Sequence, residues 1–232
     1  MAELIHGLDP AATAARLEQV RAWIGAAAER TGRDPSEVEV CAATKYVPVE
    51  ELGALAEAGL RTLGENRAQD LEAKVGVYGE RFTWDFIGQL QSRKVRDVLP
   101  HVRLIHSLAS ESALARLERH RDRARPGLEI LVEVDLVGEG SKAGVAPEEI
   151  AGYVERSALP VTGLMTMPPA ADDPEDSRPY FARLRELAQE HGLARLSMGT
   201  TQDFAVAVEE GATIVRIGRA LYARNMSSTR ST

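Results

Sequence analysis

Lys45 is the residue of this chain whose type and position best suit covalent chemistry. It follows an apolar, β-branched run at residues 38–44 that is typical of a buried strand, and Pro48 turns the chain by keeping Val47 out of helical geometry. Ligands of α/β proteins bind at the carboxyl ends of such strands. A deprotonated lysine there can form a Schiff base with a carbonyl group. The alternative is an ordinary solvated lysine in a turn.

Two segments late in the chain combine hydroxyl groups, glycine and cationic side chains in a way that suits a phosphate. Residues 197–201 are Ser-Met-Gly-Thr-Thr, and residues 216–219 are Arg-Ile-Gly-Arg. Each segment joins a predicted strand to a predicted helix, where barrel proteins commonly bind phosphate with hydroxyl and backbone N–H groups. The hydroxyl groups could instead be plain helix caps. Because both segments share the pattern, we predict a phosphate site between them.

A lysine and a phosphate site in one place predict a phosphorylated ligand that carries a carbonyl group. Two classes fit this description: a sugar phosphate, as in Schiff-base aldolases, and pyridoxal phosphate. An aldolase also needs an acid/base carboxylate, and Glu65 is the clearest candidate. Glu65 precedes a predicted helix, where a carboxylate often has a capping role. That weakens the aldolase interpretation, and both classes stay open on these residues alone.

Eight strand-like runs alternate with helical runs and would position these groups. The predicted strands are 38–44, 60–64, 82–88, 102–107, 128–136, 160–165, 193–199 and 212–218. This order in 232 residues predicts a single (β/α)8 TIM barrel of the α/β class, with an extra N-terminal helix at 9–30. An open doubly wound sheet is the alternative, but no Gly-x-Gly-x-x-Gly follows the first strand. We expect one domain at 1–224 and a polar, disordered tail at 225–232.

Composition argues against several functional classes. A formal net charge of −7 disfavours nucleic acid as a partner. A single cysteine, Cys41, excludes an internal disulfide, and the five histidines lack metal-ligand spacing. No apolar run reaches membrane-spanning length, and the N-terminus has no signal-peptide pattern. We therefore expect a soluble, cytoplasmic protein.

Short motifs spread over nearly the whole chain carry a family resemblance. They are Ala-Thr-Lys at 43–45, Gly-Glu-Asn at 64–66, Trp-Asp-Phe-Ile-Gly-Gln-Leu-Gln-Ser-Arg-Lys at 84–94, His-Ser at 106–107, Ser-Lys-Ala-Gly at 141–144, Gly-Leu-Met at 163–165, Ser-Met-Gly at 197–199 and Arg-Ile-Gly at 216–218. Together and in this order, they resemble the pyridoxal phosphate homeostasis protein family. That family is related to the N-terminal barrel of alanine racemase.

The resemblance implies a pyridoxal 5′-phosphate (PLP) cofactor bound as a Schiff base on Lys45. It implies that Arg216 faces the pyridine nitrogen and that Asn66 and Met165 line the ring. It assigns the phosphate to Ser197, Gly199, Thr201, Gly218 and Arg219. An arginine at the ring nitrogen keeps that nitrogen unprotonated, which makes the ring a poorer electron sink. Such a site suits holding or handing over the cofactor.

The resemblance therefore implies a monomeric PLP-binding protein of intracellular vitamin B6 homeostasis, without robust catalysis, whose partners are PLP and PLP-dependent apoenzymes. Alanine racemase adds a β-rich domain with a catalytic tyrosine, whereas too few residues follow Tyr222 here for such a domain. No second acid/base group opposite Lys45 is evident. The alternatives are a PLP-dependent amino-acid racemase or lyase and, third, a phosphate-binding barrel enzyme without PLP.

The chain departs from the family pattern at a few positions. Asp85 replaces a histidine, Thr200-Thr201 replaces Met-Ser, Arg219 replaces threonine or serine, and Tyr222-Ala223 replaces Phe-Gly. Arg219 either pairs with the phosphate directly or is a surface arginine at a helix start. Lys94 and Lys142 match the family, and each is either a solvated lysine or a second cofactor contact.

Overall fold

Eight parallel strands close into a barrel in the computed structural model, which describes residues 4–138 and 144–222. The strands are β1 Glu39–Ala43, β2 Thr62–Glu65, β3 Thr83–Phe86, β4 Leu104–Leu108, β5 Glu129–Glu133, β6 Val161–Met165, β7 Arg195–Thr200 and β8 Ile214–Ile217. Each strand pairs with the next along the chain, and β8 pairs with β1, so the sheet has no edge. The predicted (β/α)8 barrel is confirmed.

The fifth predicted strand, 128–136, is longer than β5. The N–H of Val134 still donates to the carbonyl oxygen of Met165 at 2.8 Å, but beyond it the chain leaves the barrel ladder, and the N–H of Asp135 donates to the carbonyl oxygen of Val145 at 2.9 Å. The Asp135 carboxylate accepts from the N–H of Val137 at 2.9 Å, which bends the chain into a turn. The prediction was too long because the apolar run in the sequence extends beyond the residues that pair in the barrel.

Helices surround the barrel in the described ranges. They are α1 Pro10–Arg30, α2 Leu52–Glu57, α3 Ala68–Tyr78, α4 Val95–Val98, α5 Glu111–His120, α6 Ile150–Arg156, α7 Arg178–Glu190, α8 Phe204–Glu209 and α9 Arg219–Tyr222. Among these helices, none combines the length and apolar character that crossing a bilayer requires.

The extra N-terminal helix α1 covers the seam where β8 meets β1. It begins where predicted, because the Asp9 carboxylate accepts the N–H of Ala12 at 2.8 Å and Pro10 opens the first turn. Its buried face includes Leu17 and Val20, and it packs against α2, α8 and α9. The extra helix thus packs on outer helices from both ends of the chain.

The barrel interior has an apolar middle layer. Its members are Cys41, Leu104, Leu131, Met165 and Ile214, with Ile87 packed against them. Cys41 is fully buried, as expected for a packing residue. Because side chains alternate along a strand, the residues two positions beyond Leu131 and Ile214, Glu133 and Arg216, point from this layer toward the carboxyl-end mouth.

Charged side chains close the opposite, amino-terminal end of the barrel. Arg103 donates to Glu39 at 2.5 Å and to Asp85 at 2.9 Å. Arg195 donates to Glu129 at 2.6 Å and lies 3.5 Å from Glu39. These bonds join strands around the barrel, so the base is a connected ionic layer beneath the apolar one.

A buried ion pair fixes the end of β1 just before Lys45. Lys74 of α3 bonds to the Glu65 carboxylate, and both side chains are buried. Lys74 also donates to the carbonyl oxygen of Thr44 at 2.9 Å, and the Thr44 hydroxyl donates to Glu65 at 2.5 Å. Glu65 is therefore engaged in a structural pair through one carboxylate oxygen, which further weakens the aldolase interpretation.

Replacing Lys74 with methionine should destabilise the fold strongly. The substitution keeps side-chain volume but leaves the Glu65 carboxylate buried and unpaired, a situation that costs about 3–5 kcal/mol. Urea unfolding followed by far-UV circular dichroism measures this loss. The double variant Glu65→Gln/Lys74→Met is the matched control and should recover much of it. A loss below about 1 kcal/mol in the single variant would contradict a stabilising pair.

Candidate functional site

Lys45 lies at the rim of the mouth, directly after β1. Its side chain is exposed, and the Nζ atom is 4.9 Å from the centre of the Tyr46 ring. The backbone around it is fixed, because the N–H of Val47 donates to the Thr44 carbonyl at 2.9 Å and the N–H of Ile5 donates to the Tyr46 carbonyl at 2.8 Å. A rigid backbone thus presents an accessible amine.

Arg216 is a buried cation held by uncharged oxygens. Its Nη1 donates to the carbonyl and hydroxyl oxygens of Ser197 at 2.8 and 2.6 Å, and its Nη2 donates to the carbonyl of Thr166 at 3.0 Å. It forms no ion pair with any other residue between 4 and 138 or between 144 and 222. Burial lowers the pKa of the guanidinium below its usual range, because the charged form loses its solvation. Such a cation favours an electron-rich ligand nearby.

The loops after β7 and β8 touch each other at Thr201 and Gly218. The N–H of Gly218 lies 3.4 Å from the Thr201 hydroxyl oxygen. Gly199 has a φ of +88°, and a Cβ there would lie 2.6 Å from the Cβ of Ala207, so only glycine lets α8 approach this closely. The helices that follow, α8 and α9, are short, so loop groups rather than helix dipoles would hold an anion here.

The other predicted site residues range from fully buried to exposed. Ser197 is fully buried, and its hydroxyl faces inward to Arg216 and His106. Met165 is buried at the mouth end of β6. Asn66 follows β2, and its Oδ1 is buried without a hydrogen-bond partner in the described part of the chain. Arg219 is exposed at the rim. The structure thus brings these residues to one end of the barrel, and their cofactor contacts stay predictions.

His106 and Asp85 extend this cluster into the barrel, and sequence reasoning gave neither a role in the site. Nε2 of His106 lies 3.2 Å from the Asp85 carboxylate, and Nδ1 lies 2.8 Å from the Ser197 hydroxyl oxygen. Since a carboxylate only accepts, Nε2–H donates to Asp85 and Nδ1 accepts from Ser197. The Ser197 oxygen is then left to accept from Arg216. Every bond in this series donates in the same direction, from the mouth to the ionic base.

Burial acts oppositely on the two titratable members of this series. Burial alone would raise the pKa of Asp85, but His106 and Arg103 outweigh it and hold that pKa below the usual range. Burial lowers the pKa of His106, and Asp85 offsets this only in part. The imidazole is therefore neutral in the folded protein near pH 7, as the bond from Ser197 requires.

Glu133, at the mouth, is a further residue that sequence reasoning missed. It is 7% exposed at the carboxyl end of β5, and its side chain makes no hydrogen bond or ion pair with the described residues. Burial raises the pKa of its carboxyl group, and Arg216 opposes this only partly. The alternation Glu129, Leu131, Glu133 along one strand was the available signal.

Two predictions concern residues that the structure does not describe, at 139–143 and 223–232. Lys142 falls in the first segment, and the proposed tail at 225–232 falls in the second. Lys94 is described, and its ammonium lies 3.5 Å from the Asp97 carboxylate one turn away, a surface pairing. Within the described residues, no three His, Cys, Asp or Glu side chains are grouped so as to hold a metal ion.

Stability should fall as the pH drops from 7 to 5, in part because of His106. Its folded-state pKa is lowered, so the unfolded chain takes up a proton below about pH 6.5 that the folded chain resists. Stability is therefore complete above that pH and decreases below it by up to about 1.4 kcal/mol per pH unit. Chemical unfolding at several pH values should show a shallower slope for His106→Gln. His191→Gln, outside the hydrogen-bond series, should keep the wild-type slope, and equal slopes in all three proteins would contradict the assignment.

Comparison with known proteins agrees with this geometry. A family model described as the alanine racemase N-terminal domain matches residues 16–225. A pyridoxal phosphate homeostasis protein of Aquifex aeolicus (strain VF5) is 40% identical over 218 residues, which cover 89% of this chain and 96% of the relative. The solved structure of an unknown protein from Bifidobacterium adolescentis has a TM-score of 0.84 at 30% identity, with 95% of this chain and 98% of that chain covered. PipY of Synechococcus elongatus PCC7942, solved with PLP bound, has a TM-score of 0.75 at 30% identity, with 91% of this chain and 100% of PipY covered.

Proposed function

This chain belongs to the alanine racemase N-terminal domain family and, within it, to the pyridoxal phosphate homeostasis proteins, and we propose from this premise that it binds PLP and serves intracellular vitamin B6 homeostasis. The observation that carries the proposal is the buried, unpaired Arg216 at the mouth of a barrel like that of PipY, which has been solved with PLP bound. The function is to hold the cofactor and hand it on, without robust turnover.

The residues at the mouth fit the chemical groups of PLP. Arg216 has five N–H donors, and its bonds to Ser197 and Thr166 leave donors over for a ring nitrogen. The buried Oδ1 of Asn66 lacks a partner that a bound ligand would provide. Close loop packing at Gly199 leaves the Thr201 hydroxyl and the Gly218 N–H together for a phosphate.

PLP, when bound, supplies an aldehyde that condenses with a primary amine and a ring that withdraws electrons. Lys45 provides the amine of this chain, from a rigid backbone at the rim. Met165 offers an apolar surface to the ring, and Arg216 donates to the ring nitrogen without protonating it. Because the nitrogen then stays uncharged, electron withdrawal is weak, which favours storage of the cofactor over carbanion chemistry.

The finer parts of the proposal concern the state and partners of the protein in the cell. We expect a monomer in the cytoplasm that passes PLP to PLP-dependent apoenzymes. Its mouth is open at Lys45 and Arg219, which are both exposed. An accessible lysine suits exchange with an amine or with a recipient protein better than a closed pocket would.

A PLP-dependent racemase or lyase is the second candidate, and Glu133 is the observation that favours it. Racemisation by two bases needs an acid/base group facing the lysine. The sequence showed no such group, whereas the structure places a buried carboxyl on β5, across the barrel from β1. Turnover of an amino acid by the PLP-loaded protein, abolished in Lys45→Ala, would favour this candidate.

PLP should attach covalently to Lys45. Wild-type protein incubated with PLP and reduced with borohydride should gain one cofactor mass on the peptide that contains Lys45, because reduction fixes the bond between the amine and the aldehyde. Lys45→Ala should lose the adduct, while Lys94→Ala should retain it. Absence of an adduct in wild type would refute PLP binding through this lysine. An adduct formed with a sugar phosphate but not with PLP would favour the third interpretation.

Arg219 should contribute to phosphate affinity. A charge-assisted bond from its guanidinium to the phosphate should make wild type bind PLP about tenfold more tightly than Arg219→Thr, which restores the family's usual hydroxyl. Equilibrium dialysis measures both affinities. Arg119→Thr, an exposed arginine on α5, serves as the control and should bind like wild type. Equal affinity in all three proteins would show that Arg219 has no phosphate role.

A further inference from the structure

We propose that Glu133 is a cofactor-binding residue that donates a hydrogen bond from its carboxyl group to an acceptor oxygen of bound PLP, on the side of the mouth opposite Lys45. This inference rests on the proposed PLP-binding function. It assigns a ligand contact to a residue that neither the motif resemblance nor the predicted site contains.

The position of Glu133 follows from the order of the strands. Leu131, two residues earlier on β5, lies in the apolar interior layer, so Glu133 points inward and one step closer to the mouth. Its partner in the register is Met165 on β6. In a closed barrel of eight strands in chain order, β5 lies across from β1, which carries Lys45 at its end. Glu133 and Lys45 therefore flank the mouth from opposite sides.

The surroundings of Glu133 leave its carboxyl group without a partner. Only 7% of the residue is exposed, and its side chain has no hydrogen-bond partner or counter-ion among residues 4–138 and 144–222. The backbone is satisfied, since its carbonyl oxygen accepts from the N–H of Val145 at 2.8 Å. A ligand that enters the mouth can therefore supply the hydrogen-bond partner that this carboxyl group lacks among the described residues.

Burial favours a neutral carboxyl group at Glu133, and the charge of Arg216 opposes it. Besides Glu133, the strands carry the titratable side chains Glu39, Cys41, Glu65, Asp85, His106, Glu129, Arg195 and Arg216, and Lys45 follows β1. Glu39, Glu129 and Arg195 belong to the ionic base, and Glu65 is paired with Lys74. Asp85 is bonded to Arg103 and His106, and the Cys41 thiol is held uncharged because burial raises its pKa. Arg216 is the cation that acts on Glu133, yet burial outweighs it and the pKa of Glu133 stays raised. A protonated carboxyl donates, whereas a carboxylate would repel the anionic oxygens of PLP.

Binding of PLP should therefore be linked to proton uptake at Glu133. Bound PLP favours the protonated form, so wild-type affinity should weaken as the pH rises and Glu133 ionises, by up to about tenfold per pH unit. Glu133→Gln keeps a neutral donor of the same shape at every pH. Its affinity should match wild type at the acidic end of the range and exceed it at the alkaline end.

The experiment measures PLP affinity by equilibrium dialysis across that pH range, and proton uptake by titration calorimetry in two buffers of different ionisation heat. Every titrating group other than residue 133 is common to wild type and Glu133→Gln, so the ratio of their affinities isolates Glu133. Wild type should take up more protons than Glu133→Gln. Glu155→Gln, an exposed carboxylate on α6, should behave like wild type.

A second variant tests whether the contact is polar or only structural. Glu133→Leu fills the space without a donor and should bind PLP more weakly than Glu133→Gln at every pH, with unfolding midpoints confirming that both are folded. Affinity of Glu133→Leu equal to wild type at the acidic end of the range, or equal proton uptake in wild type and Glu133→Gln, would overturn the proposal while leaving PLP binding intact. No PLP binding by wild type at any pH would instead overturn the proposed function and this inference with it.

Discussion

The guanidinium of Arg216 lies inside the barrel with uncharged oxygens as its described partners, and the surrounding polar structure follows from holding it there. Its position depends on Ser197, whose hydroxyl oxygen accepts from it and whose O–H donates to His106. His106 can accept only while its other nitrogen donates to Asp85, and Asp85 in turn is held by Arg103. Residues on β8, β7, β4 and β3 thus set one another's hydrogen-bond roles, so the cation at the mouth is oriented from the base of the barrel.

The two ends of the barrel use charge differently. At the base, carboxylates and guanidinium groups neutralise one another, which stabilises the closed sheet where no ligand is needed. At the mouth, Asn66 has a buried oxygen without a described partner, Glu133 forms no described ion pair, and Arg216 bonds to uncharged oxygens. Near Lys45, the Glu65–Lys74 pair fixes the backbone, and the amine of Lys45 stays exposed at the mouth. Charged groups without an ionic partner at one end of the barrel favour a binding site there.

The barrel was predictable because each buried strand is a short apolar run followed by a helical pattern. Lys45 and the loops after β7 and β8 could be placed at the mouth by the same counting. The inward hydrogen bond between Ser197 and His106 could not be predicted, since residues 91 positions apart meet only through the stagger of a closed sheet. In the sequence, Asp85 was only a departure from a family motif. Its role as a hydrogen-bond acceptor became clear from the His106 imidazole beside it. Glu133 was missed although it alternates with Glu129 and Leu131, because alternation alone does not say whether the shared face meets water or the mouth.

The packing of α1 over the seam between β8 and β1 has a consequence for how the protein is made. Its partners α8 and α9 come from the far end of the chain, so these contacts have a long sequence separation, and closing so large a loop is slow. During synthesis, which proceeds from the N-terminus, Leu17, Val20 and Ile24 lack most of their native cover until β8 has emerged from the ribosome. The nascent chain thus exposes an apolar helix for most of its translation, a segment that a chaperone would recognise before the barrel closes.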